Sequence, residues 1–211
     1  TGDANGTSLY AENNWLDDTN AVPGAGTIDG GSDVTAATGG LIEISGGAGE
    51  PSNFSPGFQI GAGNSLTVSG GKTLGSLSNA SLTGGGTTST LTISAGASLL
   101  TGSLSNFGTV VVDNGTIDLG GTAGFATSAG TSSISLANGS TVDMQFISNS
   151  FTLSVDSTSS LKLNGGGNPI NGGVINLDLG AQLTLLTAAE FTEQGSKIFV
   201  NGVSYTSDNS I

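Results

Sequence analysis

One repeated unit constrains this chain more than any other feature. It consists of an apolar residue, five small or polar residues, and a second apolar residue. Further apolar residues follow at alternate positions on both sides of most copies. A period of two is typical of a β-strand with one buried face, and small residues between two such strands form a corner. The unit therefore predicts strand, corner and strand, repeated along the chain.

Copies of the unit are spread over more than half of the 211 residues. The second apolar residues of successive copies are separated by 33, 18, 25, 19 and 22 residues, intervals that mostly suit the coils of a solenoid. The full-length copies are Ile60–GAGNS–Leu66, Ile93–SAGAS–Leu99, Leu136–ANGST–Val142 and Val155–DSTSS–Leu161, and the shorter variants are Val112–DNGT–Ile117 and Leu179–GAQ–Leu183.

Two all-β architectures account for this pattern. A β-solenoid, similar to a parallel β-helix, explains the repeated corner, the small residues and the intervals. An antiparallel β-sandwich or jelly roll explains the Asn-Gly corners at Asn114, Asn138 and Asn201 together with their apolar flanks. Strand pairing separates the two. In a hairpin residue 93 pairs with residue 99, whereas in a solenoid it stacks on a residue roughly twenty positions away. The pattern favours the solenoid.

Composition divides the chain into three regions, which we expect to form one continuous domain. Residues 1–50 contain eight of the 16 acidic residues, and we interpret them as an N-terminal cap region that includes a strand at Leu41–Ile44. Residues 51–187 are the repetitive β body, with corners or bulges expected at the Gly-rich stretches 84–86, 120–124 and 165–167.

Residues 188–211 form the third region, in which we predict a short helical turn at 188–194 and a β-hairpin at 197–206. The hairpin prediction depends on Asn201 and Gly202, which lie between two runs of alternating apolar residues. Asn-Gly is the strongest short-range signal for a two-residue turn, because a type I′ turn requires positive φ at both positions.

Charge and cysteine content exclude several classes of function. The formal net charge is −13, which repels phosphate backbones and anionic lipid, so we expect no nucleic-acid partner. The sequence contains no apolar run of membrane-spanning length, and we expect no membrane insertion. The absence of cysteine rules out disulfides and cysteine metal sites.

The acidic start of the chain contains its single tryptophan. We interpret Trp15 as an aromatic residue that caps the open end of the β core, and an alternative is that it stacks on a sugar. The adjacent Asp17 and Asp18, with nearby side-chain amides, are a weak candidate site for Ca²⁺, a cation that prefers several oxygen ligands. Their spacing matches no EF-hand loop, so we predict no cofactor.

Catalytic arrangements are scarce in this sequence. Without His or Cys it lacks the residues of Ser-His-Asp and Cys-His enzymes. A minor alternative is a polysaccharide-active enzyme, because pairs of carboxylates can cleave glycosides. The candidate carboxylates are those of Asp113, Asp118, Asp143 and Asp156. Such grooves usually add Arg, His and several aromatic residues, whereas this chain has no Arg and one Trp. We therefore predict that the protein is not an enzyme.

Five Asn-x-Ser/Thr sequences are candidate glycosylation sites, at Asn5, Asn53, Asn79, Asn114 and Asn138. Because Asn, Ser, Thr and Gly are all abundant here, the same sequences are also expected by chance and as ordinary turn chemistry.

Several stretches resemble secreted bacterial β-solenoid surface proteins. AENNWLDDTNAVPGAG is similar to their opening, in which residues equivalent to Trp15, Pro23 and Ile28 begin the first coil. SLTVSGG and STLTISAGASL resemble the repeats of autotransporter passenger domains. QLTLLTAAEFTEQGSKIFVNGVSYTSDNSI resembles the last part of extracellular proteins that are sorted by a C-terminal PEP motif. The resemblance implies a location at the cell surface or in a biofilm matrix, among adhesins and fibre-forming proteins.

From these observations we expect an extracellular structural protein that associates with copies of itself, end to end or by strand donation. Residues 1–10 and 203–211 are the candidate donor segments. The alternative is a carbohydrate-binding or adhesive surface module whose partners are glycans.

Overall fold

All regular secondary structure in the part of the chain that the structure describes is β-strand. The computed structural model describes residues 10–11, 14–16, 21–23, 27–29, 41–44, 53–55, 57–60, 63, 65–76, 81–119, 125–126, 132–145, 147–148, 151–164, 170–171, 173–185 and 196–205. Within these ranges no helix is long and apolar enough to cross a membrane. The predicted helical turn at 188–194 lies outside them.

The strands follow one another at short intervals along the chain. They are β1 (Tyr10–Ala11), β2 (Asn14–Leu16), β3 (Ala21–Pro23), β4 (Thr27–Asp29), β5 (Leu41–Ile44), β6 (Asn53–Ser55), β7 (Gly57–Ile60), β8 (Ser65–Val68), β9 (Thr73–Ser76), β10 (Ser81–Ser94), β11 (Ser98–Leu100), β12 (Ser103–Asp113), β13 (Thr116–Asp118), β14 (Phe125–Ala126), β15 (Ser132–Ala137), β16 (Thr141–Met144), β17 (Ile147–Ser148), β18 (Phe151–Val155), β19 (Ser160–Leu163), β20 (Ile170–Asn171), β21 (Gly173–Leu177), β22 (Gln182–Leu185), β23 (Ser196–Val200) and β24 (Val203–Tyr205).

Strands β4 to β23 stack as a β-solenoid with three parallel ladders, and from β7 to β22 the chain passes through the three ladders in turn. Strands β1 to β3 form a separate antiparallel sheet. Ladder one contains β7, the first part of β10 and of β12, then β14, β17 and β20. Ladder two contains β5, β8, the later part of β10 and of β12, then β15, β18, β21 and β23. Ladder three contains β4, β6, β9, β11, β13, β16, β19 and β22.

Register within ladder two is maintained from coil to coil. Ile93 pairs with Val68 on one side and with Val112 on the other, and not with Leu99 across the corner. This pairing confirms the solenoid and rejects the antiparallel sandwich. One column of stacked residues runs through ladder two with intervals of 19 to 25 residues: Ile44, Val68, Ile93, Val112, Leu136, Val155, Leu177 and Val200.

The core is the inner face of the ladders. Strands alternate buried and partly exposed residues, as in β18, where Phe151, Leu153 and Val155 point inward. The largest fully buried side chain is that of Phe107. The period of two in the sequence therefore reflects one buried face on each strand, and each coil adds one layer of aliphatic side chains to a continuous interior.

One predicted repeat copy was assigned to the wrong residues, and one further copy was missed. The last corner starts at Leu177, which is buried, and not at Leu179, whose side chain is 74% exposed. Leu177 stacks on Val155, and this register fixes which leucine points inward. A further full-length copy joins Val68 to Leu74, and it divides the apparent 33-residue interval.

The copy from Ile60 to Leu66 also has a different position in the coil. It links β7 of ladder one to β8 of ladder two, whereas the other copies link ladder two to ladder three. In the next coil the same link is made within β10, where Gly84–Gly86 coincide with shifts in register, as expected for a bulge. The stretches 120–124 and 165–167 lie outside the described residues.

Candidate functional site

The C-terminal end of the solenoid is where the regular stack changes. β23 is the last parallel strand of ladder two, and β24 folds back against it in antiparallel register, with Ile198 opposite Tyr205 and Val200 opposite Val203. The predicted hairpin is therefore confirmed. Asn201 and Gly202 form its two-residue turn, with φ angles of 48° and 76°. Both lie in the left-handed region, which Asn and Gly tolerate better than other residues.

This end also presents exposed apolar side chains. Val203 is 65% exposed, next to the turn, and Leu179 lies in the corner of the coil below. The two segments are in contact, because the backbone N–H of Asn201 donates to the carbonyl oxygen of Leu177 at 2.8 Å. In the preceding coils the position equivalent to Leu179 is small or polar, occupied by Gly70, Ala95, Asn114, Asn138 and Ser157. The last corner therefore departs from the others in chemistry.

In the described part of the chain, no strand or charged residue of β24 itself covers the outer edge of the terminal strand of ladder two. Within the described residues, β24 pairs only with β23, so its second edge carries backbone N–H and C=O groups without a strand partner. Between Ser196 and Tyr205 the only charged residue is Lys197. An uncharged edge next to exposed apolar side chains is a template for another strand.

The predicted cap at the N-terminal end is described only in part. Trp15 lies in β2, the central strand of a small antiparallel sheet, opposite Tyr10 of β1 and Val22 of β3. The Ca²⁺ candidates Asp17 and Asp18 lie outside the described residues. Within the described part of the chain, no group of three or more His, Cys, Asp or Glu residues is placed to hold a metal ion.

Three of the four carboxylates considered for glycoside cleavage, those of Asp113, Asp143 and Asp156, contact residues of neighbouring coils. Asp143 accepts a hydrogen bond from Asn164 Nδ2, and its Oδ2 lies 2.7 Å from Lys162 Nζ. Asp118 is the register partner of Asp143 in ladder three. The side chain of Asp143 therefore has two polar partners one coil away.

Among the described residues, a carboxylate with several hydrogen-bond donors lies at the corner between ladders two and three. Asp156 accepts hydrogen bonds from the backbone N–H of Asn138 at 2.8 Å and of Thr158 at 3.0 Å. The hydroxyl of Ser159, these N–H groups and the Thr158 hydroxyl hold the pKa of Asp156 well below its usual range. On the coil that precedes Asn138, Asp113 Oδ1 accepts a hydrogen bond from Asn138 Nδ2 at 2.5 Å. The carboxylates at these corners therefore connect residues of different coils.

The structure places three of the five sequon asparagines. Asn53 lies in β6, and Asn114 and Asn138 are exposed at corners with φ angles of 52° and 57°. The side-chain nitrogen of Asn138, the atom to which a glycan attaches, donates to Asp113. Asn5 and Asn79 lie outside the described residues.

Buried hydroxyls inside the corners were not anticipated from the sequence. Ser140 and Ser159 are buried, and Ser140 Oγ lies within hydrogen-bond distance of the carbonyl oxygens of Val112 at 2.8 Å and Ala137 at 2.5 Å, which compete for its one hydrogen. The Ser159 hydroxyl in turn accepts from the backbone N–H of Ser140 at 3.1 Å. The available signal was a small residue immediately before the outgoing strand at most corners, and this signal becomes visible only when the copies are aligned on their stacked positions.

Comparison with known proteins found no match to a family model, to a curated protein or to a solved structure.

Proposed function

We propose that this protein is an extracellular structural subunit that associates end to end with copies of itself into a surface or matrix fibre. The single observation that carries the proposal is the strand edge of β24 at the C-terminal end of ladder two, uncharged and beside the exposed side chains of Val203 and Leu179. The extracellular location is supported by the resemblance of the repeats to those of secreted surface proteins.

Strand addition at this edge satisfies two physical demands together. The N–H and C=O groups at the second edge of β24, which have no strand partner among the described residues, gain hydrogen bonds, and the apolar side chains at the same end lose contact with water. Val203–Tyr205 are already paired with β23, so this end offers an edge to a partner instead of donating the predicted segment 203–211.

The two ends of ladder two differ, and this difference determines the type of assembly. In the described chain the ladder begins at β5 and ends at β24. A contact between unlike ends is heterologous, and if the rotation does not close into a ring it produces a helical filament. The acidic residues of the first fifty positions then keep neighbouring filaments apart by repulsion between like charges.

A charge at the proposed contact tests this function. We expect Val203→Lys to reduce association, because burying a lysine against a strand edge has a large desolvation cost. The matched control is Leu100→Lys, since Leu100 is 41% exposed on β11, at the side of the solenoid. Both variants add the same charge. Light scattering over a series of concentrations measures mass, and electron microscopy shows whether filaments form.

The proposal predicts a mass that grows with concentration for the unmodified chain and for Leu100→Lys, and a smaller mass for Val203→Lys. Separate removal of residues 1–10 and of residues 203–211 identifies which end is required. A stable monomer of the unmodified chain at high concentration would falsify the proposal. An equal loss of association in both lysine variants would place the contact away from the end.

A further inference from the structure

We propose that Asn201 is a site of spontaneous modification, at which the side-chain amide is converted to a carboxylate through cyclisation onto the backbone nitrogen of Gly202. The chain contains several Asn-Gly pairs. The surroundings of the pair at 201–202 differ from those of the pairs at the interior corners 114–115 and 138–139. This inference stands on the geometry of single chains and does not require the proposed assembly.

The reaction needs only water as co-reactant. After the Gly202 amide loses its proton to solvent, its nitrogen attacks Cγ of Asn201, the new N–Cγ bond forms, and the Cγ–Nδ2 bond breaks with release of ammonia. Water then opens the resulting five-membered imide at one of its two carbonyl groups. The products are aspartate, or isoaspartate with the backbone routed through the side chain. Glycine is the most permissive second residue, because it has no Cβ to hinder the attacking nitrogen.

The pair at Asn114 is held on both sides by neighbouring coils. The backbone N–H of Asn114 donates to Ala137 at 3.0 Å, and its carbonyl oxygen accepts from Gly96 at 2.6 Å. The attacking nitrogen, that of Gly115, donates to the buried Ser140 hydroxyl at 3.3 Å. Ring closure here requires these bonds to open within the packed interior of the stack.

The pair at Asn138 is held at both reacting nitrogens. Its leaving group, Nδ2, donates to Asp113 Oδ1 at 2.5 Å. The Gly139 nitrogen donates to Thr158 Oγ1 at 2.9 Å, and the backbone N–H of Asn138 donates to Asp156. Three bonds to two different coils therefore oppose the rotation that brings the glycine nitrogen to Cγ.

The pair at Asn201 lies on the last coil, and among the described residues it has a neighbouring coil on one side only. Asn201, Gly202 and Val203 are all exposed. The backbone N–H of Asn201 donates to Leu177, and among the described residues the Gly202 nitrogen has no acceptor. A Cβ placed on Gly202 would meet nothing within 4 Å, so the turn has free space around it. Local opening is easiest where packing and hydrogen bonds are fewest.

Conversion at this position changes the end of the molecule. It adds a negative charge beside Val203, and the isoaspartate product lengthens the backbone in a turn that accommodates only two residues. If the end forms the proposed fibre contact, the modified chain is expected to add to a fibre less readily. That consequence rests on the proposed function, whereas the site selectivity does not.

Peptide mass spectrometry on the full chain tests the selectivity. The protein is held in mildly alkaline buffer, folded or in concentrated urea, at a concentration where light scattering shows monomers, and then digested with trypsin. Since the only basic residues are Lys72, Lys162 and Lys197, the peptides 198–211 and 73–162 separate Asn201 from the interior pairs, and fragmentation localises each change. The signal is the mass increase that accompanies replacement of an amide by a carboxylate.

In urea we expect similar rates at all three pairs. In the folded chain Asn201 should keep nearly its urea rate, whereas Asn114 and Asn138 should be slowed on the order of tenfold or more, because closure there requires hydrogen bonds to open. The control variant Asn201→Asp should remove the mass increase from peptide 198–211 and exclude Asn209 as its source. Equal rates at the three pairs in the folded chain, or slowing at Asn201 as large as at Asn138, would overturn the inference.

Discussion

Gly108 shows how closely neighbouring coils approach one another. A Cβ built on this residue would lie 1.9 Å from the carbonyl oxygen of Thr87 and 2.7 Å from its Cα, both backbone atoms of the previous coil. The obstacle is main chain on a stacked strand, so it does not move aside as the end of a side chain does. At this position glycine is required for space.

We therefore expect Gly108→Ala to destabilise the fold by about 3 kcal/mol or more, as overpacking against a rigid neighbour does. The matched control is Gly139→Ala, because Gly139 has a φ of 78° and an added Cβ there would meet nothing within 4 Å, so its cost is backbone strain of about 1 kcal/mol. Urea unfolding followed by circular dichroism compares the two. Similar urea midpoints for the two variants would show that the coils can move apart at Gly108 at little cost in stability.

Asp156 makes the folded state sensitive to acid. Its pKa in the folded chain lies below the unfolded value of about 3.9, because the Ser159 hydroxyl and the Asn138 N–H stabilise the carboxylate. A lowered pKa contributes stability that is present above pH of about 4 and is lost as pH falls through the folded pKa.

We expect Asp156→Asn to lower stability near neutral pH by about 1 kcal/mol, a modest value because the group is partly exposed and therefore screened by solvent. The difference from the unmodified chain should shrink as pH falls below about 4. Asp178→Asn is the control, since Asp178 takes the same corner position on the next coil and its carboxylate has no hydrogen bond to a described residue. Thermal unfolding from pH of about 7 down to about 2 provides the comparison. If the difference in stability between Asp156→Asn and the unmodified chain stayed constant across that range, the assignment of a lowered pKa to Asp156 would be wrong.

At the scale of elements, the corner between ladders two and three is the recurring geometric unit of the chain. Its backbone closes on itself, as when Ala97 N–H donates to Ser94 at 3.0 Å, and it also bonds to the corner above, as when Gly96 N–H donates to Asn114 at 2.6 Å. The sequence predicted this corner from its apolar flanks. It misplaced the last copy because Leu177 and Leu179 are both apolar and two residues apart, and only stacking distinguishes them.

The two leucines provide a matched test of that register. We expect Leu177→Ala to cost about 2–4 kcal/mol, because Leu177 is buried between Val155 and Val200, whereas Leu179→Ala should change stability by less than about 0.5 kcal/mol. Chemical unfolding of both single variants measures the difference. If Leu179→Ala were the more damaging change, the register of the last coil would be wrong.

At the scale of the whole molecule, alternating apolar residues predicted a β-solenoid and Asn201-Gly202 predicted its terminal hairpin, and both are confirmed. The pattern did not by itself decide between a solenoid and a sandwich, because one buried face looks the same whether strands pair with sequence neighbours or with residues a coil away. The apolar character of the C-terminal end was not predicted either, since a lone exposed Leu179 or Val203 becomes informative only when stacking brings them to the same end.

Register in ladder two also bears on how the length of such a protein changes in evolution. Ile93 contacts the coils containing Val68 and Val112, and intervals of 19 to 25 residues between stacked positions are all accommodated. A tandem duplication of one coil therefore inserts a layer whose two faces match those already present, and no existing contact has to be redesigned. A gene of this kind can lengthen by whole coils while its two ends, and whatever they bind, stay unchanged.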